Sequence, residues 1–141
     1  VGVAENKAEA MKWYKQAMEL GVTDSMVNLG KCLLVGNDKG RGDSEAGLEL
    51  FVRAAEEGNT RAQWNAAATL WNLADDLGLQ PDAKRSLYYL EKAADQGHEQ
   101  AMQELARRYA AGDGVDKDED KAVEINIRAQ ELREQALRRR Q

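Results

Sequence analysis

A short segment occurs three times in this chain at nearly constant spacing. AMKWYKQAMELG ends at Gly21, GLELFVRAAEEG ends at Gly58, and SLYYLEKAADQG ends at Gly97. The closing glycines therefore lie 37 and 39 residues apart. A period of this size is typical of arrays of paired helices, in which each unit buries its apolar face only against its neighbours.

Each repeated segment predicts a helix. Their apolar residues recur at helical spacing, as Met11, Tyr14 and Met18, then Leu48, Phe51 and Ala55, then Leu87, Leu90 and Ala94. The closing glycines suit the left-handed position that ends a helix, where a side chain would be strained. No run rich in Val, Ile and Thr suggests a strand, so the sequence predicts an all-α fold.

A second set of helical segments lies between the first. It consists of DSMVNLGKCLLVG from Asp24, TRAQWNAAATLWNLA from Thr60 and EQAMQELARRYAAG from Glu99. When these are aligned, Gly30, Ala67 and Ala106 coincide, and such small residues allow paired helices to approach closely. Together the two sets predict seven helices, over residues 5–20, 24–35, 44–57, 60–76, 82–96, 99–111 and 117–139.

Composition excludes several classes of function. With 43% apolar and 32% charged residues, the 141-residue chain is expected to be one soluble folded domain. Its net charge of −5 gives no general attraction for nucleic acid, and no stretch reaches the roughly 18 apolar residues that membrane insertion requires. The chain opens on Val1 rather than Met, which favours a fragment or processed form. The compartment stays open, with the cytoplasm slightly favoured.

The acidic stretch GDGVDKDEDKA is the strongest candidate for a metal site. Asp116, Asp118 and Asp120 alternate like the opening of a calcium loop. Such a loop needs glycine at its sixth position and glutamate at its twelfth, and these positions hold Lys121 and Ile127. Acids in the first turn of a helix are explained by capping and by the helix dipole. We therefore expect a structural turn and no metal.

No other residue indicates catalysis. His98 is the single histidine and follows Gly97 at a helix junction, where a role at the surface of a turn is expected. Cys32 is the single cysteine, and its position on an apolar helix predicts a buried side chain. With no nameable partners for either residue, we expect no catalytic site, no cofactor and no small-molecule substrate.

The segment QAMQELARRYAAGDGVDKDEDKAVE resembles the Sel-one-like repeat (SLR), a relative of the tetratricopeptide repeat. Matches to that family include Leu105, Tyr109, Gly112, Gly114, Val115, Asp118, Lys121 and Ala122, and in the first unit Ala10, Trp13, Tyr14, Ala17 and Gly21. The middle loop, residues 73–85, departs from the pattern, and Arg133 replaces an expected glycine in a last helix that runs on as a terminal cap.

The resemblance implies a right-handed α-α superhelix, or solenoid, of helix pairs in one domain over residues 1–141. We divide it into a half unit 1–21, units 22–58 and 59–97, and a unit 98–132 whose capping helix extends to 141. Trp13 and Tyr14 are then packing residues between helices.

The resemblance also implies that the first helix of each pair lines a concave groove. The groove positions carried over are Lys31, Leu34, Arg61, Trp64, Ala68, Trp71, Asn72, Gln103 and Arg107. Trp64 and Trp71 are seven residues apart, which places them on one helix face, and with Arg61 they resemble a binding hot spot. The alternative is that one or both indoles fill space between neighbouring units.

These expectations lead to a non-catalytic adaptor or scaffold that binds a protein or peptide in its groove. The groove residues favour a peptide with apolar and acidic groups. Two alternatives stay open, an inhibitor or immunity-type protein that blocks an enzyme and a regulatory repeat segment of a larger enzyme.

Overall fold

The structure is a computed structural model, and it describes residues 9, 12–13, 15–16, 18–35 and 42–141. Residues 18–20 are helical ahead of Gly21. Six further helices follow: α1 (Thr23–Val35), α2 (Ser44–Glu56), α3 (Thr60–Leu70), α4 (Ala83–Asp95), α5 (Glu99–Ala111) and α6 (Glu119–Arg139). The described residues contain no strand. The predicted all-α fold is confirmed.

The helices form three pairs, α1–α2, α3–α4 and α5–α6, and each pair packs on the next through α2–α3 and α4–α5. We call α1, α3 and α5 the first helices and α2, α4 and α6 the second helices. The first helices α1 and α3 also touch directly. Since each helix contacts chiefly its neighbours in the chain, the array grows by stacking units, as the repeat predicts.

Local signals in the sequence set the helix ends. Asp43, Asn59, Asp82, His98 and Asp118 cap α2 to α6, each side chain accepting a hydrogen bond from the backbone N–H three residues on. The closing glycines Gly21, Gly58 and Gly97 have φ values of 66°, 97° and 85°, as expected for left-handed ends.

Small residues allow the paired helices to pack at close range. A Cβ atom added at Gly30 would lie 2.7 Å from Cε1 of Phe51, and one at Gly47 would overlap the side chain of Leu34. In the later pairs Ala67 and Ala106 are buried. The core is therefore built from alanines and single large residues such as Phe51 and Leu90, both at most 1% exposed.

Helix α3 ends at Leu70, so the expected helix over 60–76 is wrong at its end. Trp71 has φ −130° and ψ −65°, and the N–H of Leu73 bonds to the carbonyl of Ala68 instead of continuing the helix ladder. The carbonyl of Leu70 instead accepts a bond from the N–H of Asp82. Residues 71–78 form turns and a bend that connect α3 towards α4.

Two expected packing residues are exposed. Cys32 is exposed because the buried residues of α1 are Met26, Val27, Gly30 and Leu33, and Cys32 falls on the other side of the helix. Trp13 is 59% exposed, so the expectation that it packs between helices is wrong for the described residues. Tyr14, paired with it in that expectation, lies outside the described residues.

Candidate partner-binding surface

The nine predicted groove residues lie on the three first helices or, for Trp71 and Asn72, directly after α3. We call this set the first-helix surface. None of the nine is buried: Leu34, Trp64, Ala68 and Trp71 are half-buried, and Lys31, Arg61, Asn72, Gln103 and Arg107 are exposed. Side-chain contacts join one first helix to the next along this surface.

Between α1 and α3 the contacts are polar. The side-chain amide of Asn59, which caps α3, donates to Oγ1 of Thr23 and to Oδ1 of Asp24, both at 2.9 Å. Arg61 donates to Oδ1 of Asn28 at 3.3 Å and lies 3.6 Å from the Asp24 carboxylate. The exposed Arg61 guanidinium is thus held beside α1.

Between α3 and α5 the contact is aromatic. The indole of Trp64 stacks on the imidazole of His98, with ring centroids 5.5 Å apart and planes 29° apart. The same imidazole caps α5, because its Nδ1 accepts the N–H of Ala101 at 3.1 Å. An Nδ1 that accepts a hydrogen bond carries no proton, and burial lowers the pKa of His98.

Trp71 contacts the turn that follows α5. Its indole Nε1 donates to Oδ1 of Asp113 at 3.1 Å, and its ring lies over Gly114. Arg107 donates to the other Asp113 oxygen at 2.7 Å and also to Glu104. Because α3 has ended before Trp71, the seven-residue helical spacing does not hold, and Trp64 and Trp71 contact different parts of the next pair.

A buried arginine lies beneath this surface. Arg108 is 1% exposed and donates to Oγ of Ser86 at 2.8 Å and to Oδ1 of Asn72 at 2.6 Å. Its Nε has no hydrogen-bond partner among the described residues. Burial lowers the pKa of the Arg108 guanidinium, although the carboxylates of Glu104 and Asp113 act in the opposite direction. The Arg108 guanidinium therefore donates these hydrogen bonds to uncharged oxygens rather than to a carboxylate.

We did not predict Arg108 from the sequence, although a signal was present. It lies three residues after Leu105 and seven after Ala101, both of which are buried. This spacing places it on the core side of α5. Arginine side chains are seldom buried, so a prediction from sequence places Arg108 at the surface even though its spacing matches the buried residues.

A family model for the Sel1 repeat matches four consecutive stretches, residues 1–22, 23–59, 60–98 and 99–125. The chain belongs to the Sel1 repeat family. The predicted resemblance is thereby confirmed, and the three helix pairs are Sel1-type pairs.

Two curated relatives of this Sel1 chain carry closely related names. Cytochrome c oxidase assembly factor 7A from Xenopus laevis is 32% identical over 114 residues, which cover 77% of this chain and 47% of the relative. Cytochrome c oxidase assembly factor 7 from Xenopus tropicalis is 30% identical over 86 residues, 57% of this chain and 37% of the relative. The chain spans about half the length of the first of these relatives, and less of the second.

Solved structures show the same solenoid. A Sel1 repeat protein from Oxalobacter formigenes superposes with a TM-score of 0.71 at 22% identity, covering 86% of this chain and 89% of that protein. A protective antigen of uropathogenic Escherichia coli strains that displays an SLR fold gives a TM-score of 0.64 at 29% identity, over 79% of this chain and 23% of the antigen. The predicted α solenoid is therefore confirmed.

The acidic stretch serves as the turn of the last Sel1 pair. Gly112 and Gly114 have φ values of 70° and 71°, Val115 packs against the core, and Asp118 caps α6. Nowhere in the described ranges do three metal-ligating side chains gather. Likewise, none of the described helices has the length and apolar character that would carry it across a membrane.

Tyrosines join the second helices to the units around them. The Tyr89 hydroxyl donates to Glu56 at 2.8 Å, and the Tyr109 hydroxyl donates to Glu91 at 3.2 Å. Burial, followed by the Glu56 carboxylate, raises the pKa of Tyr89 to about 12. The Tyr89 hydroxyl therefore stays protonated at neutral pH, and both hydroxyls act as structural donors between units.

Proposed function

We propose that this chain is a non-catalytic protein-binding module that acts as an adaptor or scaffold. Its partner, a protein or peptide, lies along the first-helix surface. The observation that carries the proposal is that Arg61 and Trp64 are held in place by neighbouring units, and Arg107 by Glu104 and Asp113 of its own unit, yet all three keep exposed atoms. Side chains fixed before binding lose less conformational freedom when a partner arrives.

The charges of the surface favour acidic groups in the partner. Lys31 is exposed and makes no ion pair with a described residue, and Arg61 lies 3.6 Å from a single exposed carboxylate. An exposed pair at this distance contributes little to stability, so a partner carboxylate can replace Asp24. Trp64 supplies the apolar contact, since aromatic and arginine side chains dominate binding energies.

The names of the relatives support a role in assembly. Both are called assembly factors for cytochrome c oxidase, and an assembly factor has to contact the proteins that it helps to assemble. We extend this role to the present chain as part of the proposal.

The test is affinity capture with the intact chain as bait, followed by mass spectrometry of the captured proteins. The test variant is the double substitution Lys31→Glu and Arg61→Glu, which reverses two charges of the first-helix surface. The control is Arg128→Glu, which changes an exposed arginine on α6.

We expect the partners held by the unmodified chain to be retained by Arg128→Glu and lost by the double variant. Circular dichroism of each variant verifies that the helices persist. If the folded double variant captures the same proteins in the same amounts, the first-helix surface is not the binding site. An assay of any captured enzyme, with and without the chain, separates a scaffold from an inhibitor.

A further inference from the structure

A cleft of about 340 Å³ lies between the C-terminal end of α1 and the loop that follows α3. Its apolar wall consists of Leu34, Val35, Leu77 and Leu79, and Gly78 lies among them. Two exposed acids, Glu45 and Asp76, lie at its edge. We call this cleft the notch.

The next junction along the array has the same construction, but there the space is filled. Gly78 and Gly114 correspond, because each lies four residues before a capping aspartate and their φ values are 72° and 71°. A Cβ atom added at Gly114 would lie 3.0 Å from the Trp71 indole, whereas one added at Gly78 would meet nothing within 4 Å. An indole thus covers one of these glycines and not the other.

The residue at the position of Trp71 explains the difference. Leu34 and Trp71 correspond, since each directly follows a buried leucine of the aligned first helices, Leu33 and Leu70. Leucine is too short to reach the glycine of the next loop, and Leu34 instead packs against Gly47 of α2. The notch is the space that a tryptophan occupies in the following unit.

We propose that the notch binds an aromatic side chain, best a tryptophan, that a protein partner presents between basic residues. The apolar wall provides the contact, and Val35, now 81% exposed, would be covered by the incoming ring. Asp76 lines the notch and offers a carboxylate to the indole N–H; at the next junction that bond is made by Asp113, whose counterpart in this loop is Leu77. Glu45 and Asp76 attract the flanking cations and disfavour acidic neighbours.

The notch adjoins the first-helix surface through Leu34 but uses neither Lys31 nor Arg61. The notch is a second subsite, and it favours basic groups whereas the first-helix surface favours acidic ones. A partner that uses both sites would place acidic residues along the first helices and a tryptophan between basic residues at the notch. The two proposals can therefore fail separately.

The test is an NMR titration of the methyl-labelled chain with the blocked peptide Gly-Lys-Trp-Lys-Gly. We expect saturable shifts of the Val35, Leu77 and Leu79 methyl signals. Two control peptides replace the tryptophan with alanine or both lysines with glutamate, and each should bind about tenfold more weakly or not at all.

Matched variants locate the site. Val35→Lys places a cation in an exposed position at the notch, so the fold should persist while affinity falls about tenfold. Val123→Lys, at a position 56% exposed on α6, is the control and should leave affinity unchanged. The double variant Lys31→Glu, Arg61→Glu should also bind the peptide normally. Unshifted notch methyls, or unchanged binding by Val35→Lys, would overturn the proposal.

Discussion

The ring of His98 performs two tasks at once, because it stacks on Trp64 of the preceding pair and caps α5 through Nδ1. The cap requires an imidazole without a proton on Nδ1, because that nitrogen accepts the N–H of Ala101. A positive charge there would also oppose the helix dipole at the start of α5. The next residue in the chain, Glu99, pairs with Arg133 of α6 at 3.4 Å.

This geometry predicts a pH dependence of stability. Burial lowers the pKa of His98 in the folded chain below its ordinary value of about 6.5, so the unfolded chain binds the proton more tightly. The contribution of His98 to the free energy of unfolding is therefore complete above pH about 6.5 and is lost as pH falls through the lower folded pKa. Urea unfolding at several pH values between 5 and 8 measures it.

His98→Asn supplies the control for this titration, because Asn59 caps α3 at the corresponding position. The variant keeps a cap and has nothing to titrate near neutral pH. Its stability should vary less between about pH 5 and 7 than that of the unmodified chain. Identical pH profiles for the two chains would contradict the role given to His98.

Arg108 and Arg107 are adjacent, yet their removal should have different consequences. Arg108→Ala leaves a cavity and removes the donor to the buried Ser86 hydroxyl, so we expect a loss of about 3 kcal/mol in the free energy of unfolding. Arg107→Ala removes a half-exposed side chain and should cost about 1 kcal/mol or less. Chemical denaturation of both variants makes the comparison.

Arg108→Met then separates volume from charge. A methionine fills the space without a buried charge, and buried ionic groups are often replaced by apolar ones at little cost. We expect this variant to be about 1 kcal/mol from the unmodified chain. A loss as large as that of the alanine variant would show that the hydrogen bonds of the guanidinium, rather than its volume, hold the pairs together.

Gly114→Ala and Gly78→Ala form a matched pair of substitutions. Both glycines have left-handed backbone, which costs an L-residue about 1–2 kcal/mol. At Gly114 the added methyl group also meets the Trp71 indole at 3.0 Å, and overpacking adds about 1–3 kcal/mol. Gly114→Ala should thus be the less stable, with a change in tryptophan fluorescence that Gly78→Ala lacks. Equal losses in stability would contradict the contact.

The close approach of α1 and α2 predicts that Gly30→Ala is destabilising despite the higher helix propensity of alanine. The new methyl group would lie 2.7 Å from the Phe51 ring, and we expect a loss of about 1–3 kcal/mol in the free energy of unfolding. Ser25→Ala, at an exposed site in the same helix, should change stability by about 0.5 kcal/mol or less. Thermal unfolding compares them, and a neutral Gly30→Ala would contradict the packing described here.

The sequence predicted the helix pairs because their signals are local and repeated. Each signal is contained in a few consecutive residues: a glycine that ends a helix, a side chain that caps its start, and apolar residues at helical spacing. The end of α3 is not evident for the same reason, since Leu73 and Leu77 continue the helical period and no glycine or proline lies between Thr60 and Gly78. The bond that replaces the helix there, from Asp82 to Leu70, spans twelve residues.

The side-chain contacts of the first-helix surface could not be predicted in this way. The partners of Trp64 and Trp71 are His98 and Asp113, which lie in the next repeat. Helical spacing predicts the face of its own helix on which a residue lies. It contains no information about which group of a neighbouring unit lies opposite that face. Cys32 shows the converse error, because the apolar run around it predicts a buried side chain, whereas the buried face of α1 lies on the other side of the helix.

Asn59 and His98 occupy equivalent positions, and each reaches back from the start of one first helix to the first helix before it. The capping residue thus takes part in joining neighbouring first helices at that edge, and it belongs to neither buried core. Asn59 and His98 are both only half-buried, whereas the alanines between the paired helices are fully buried. The packing that keeps each unit folded and the contacts that join neighbouring first helices are thus provided by different residues.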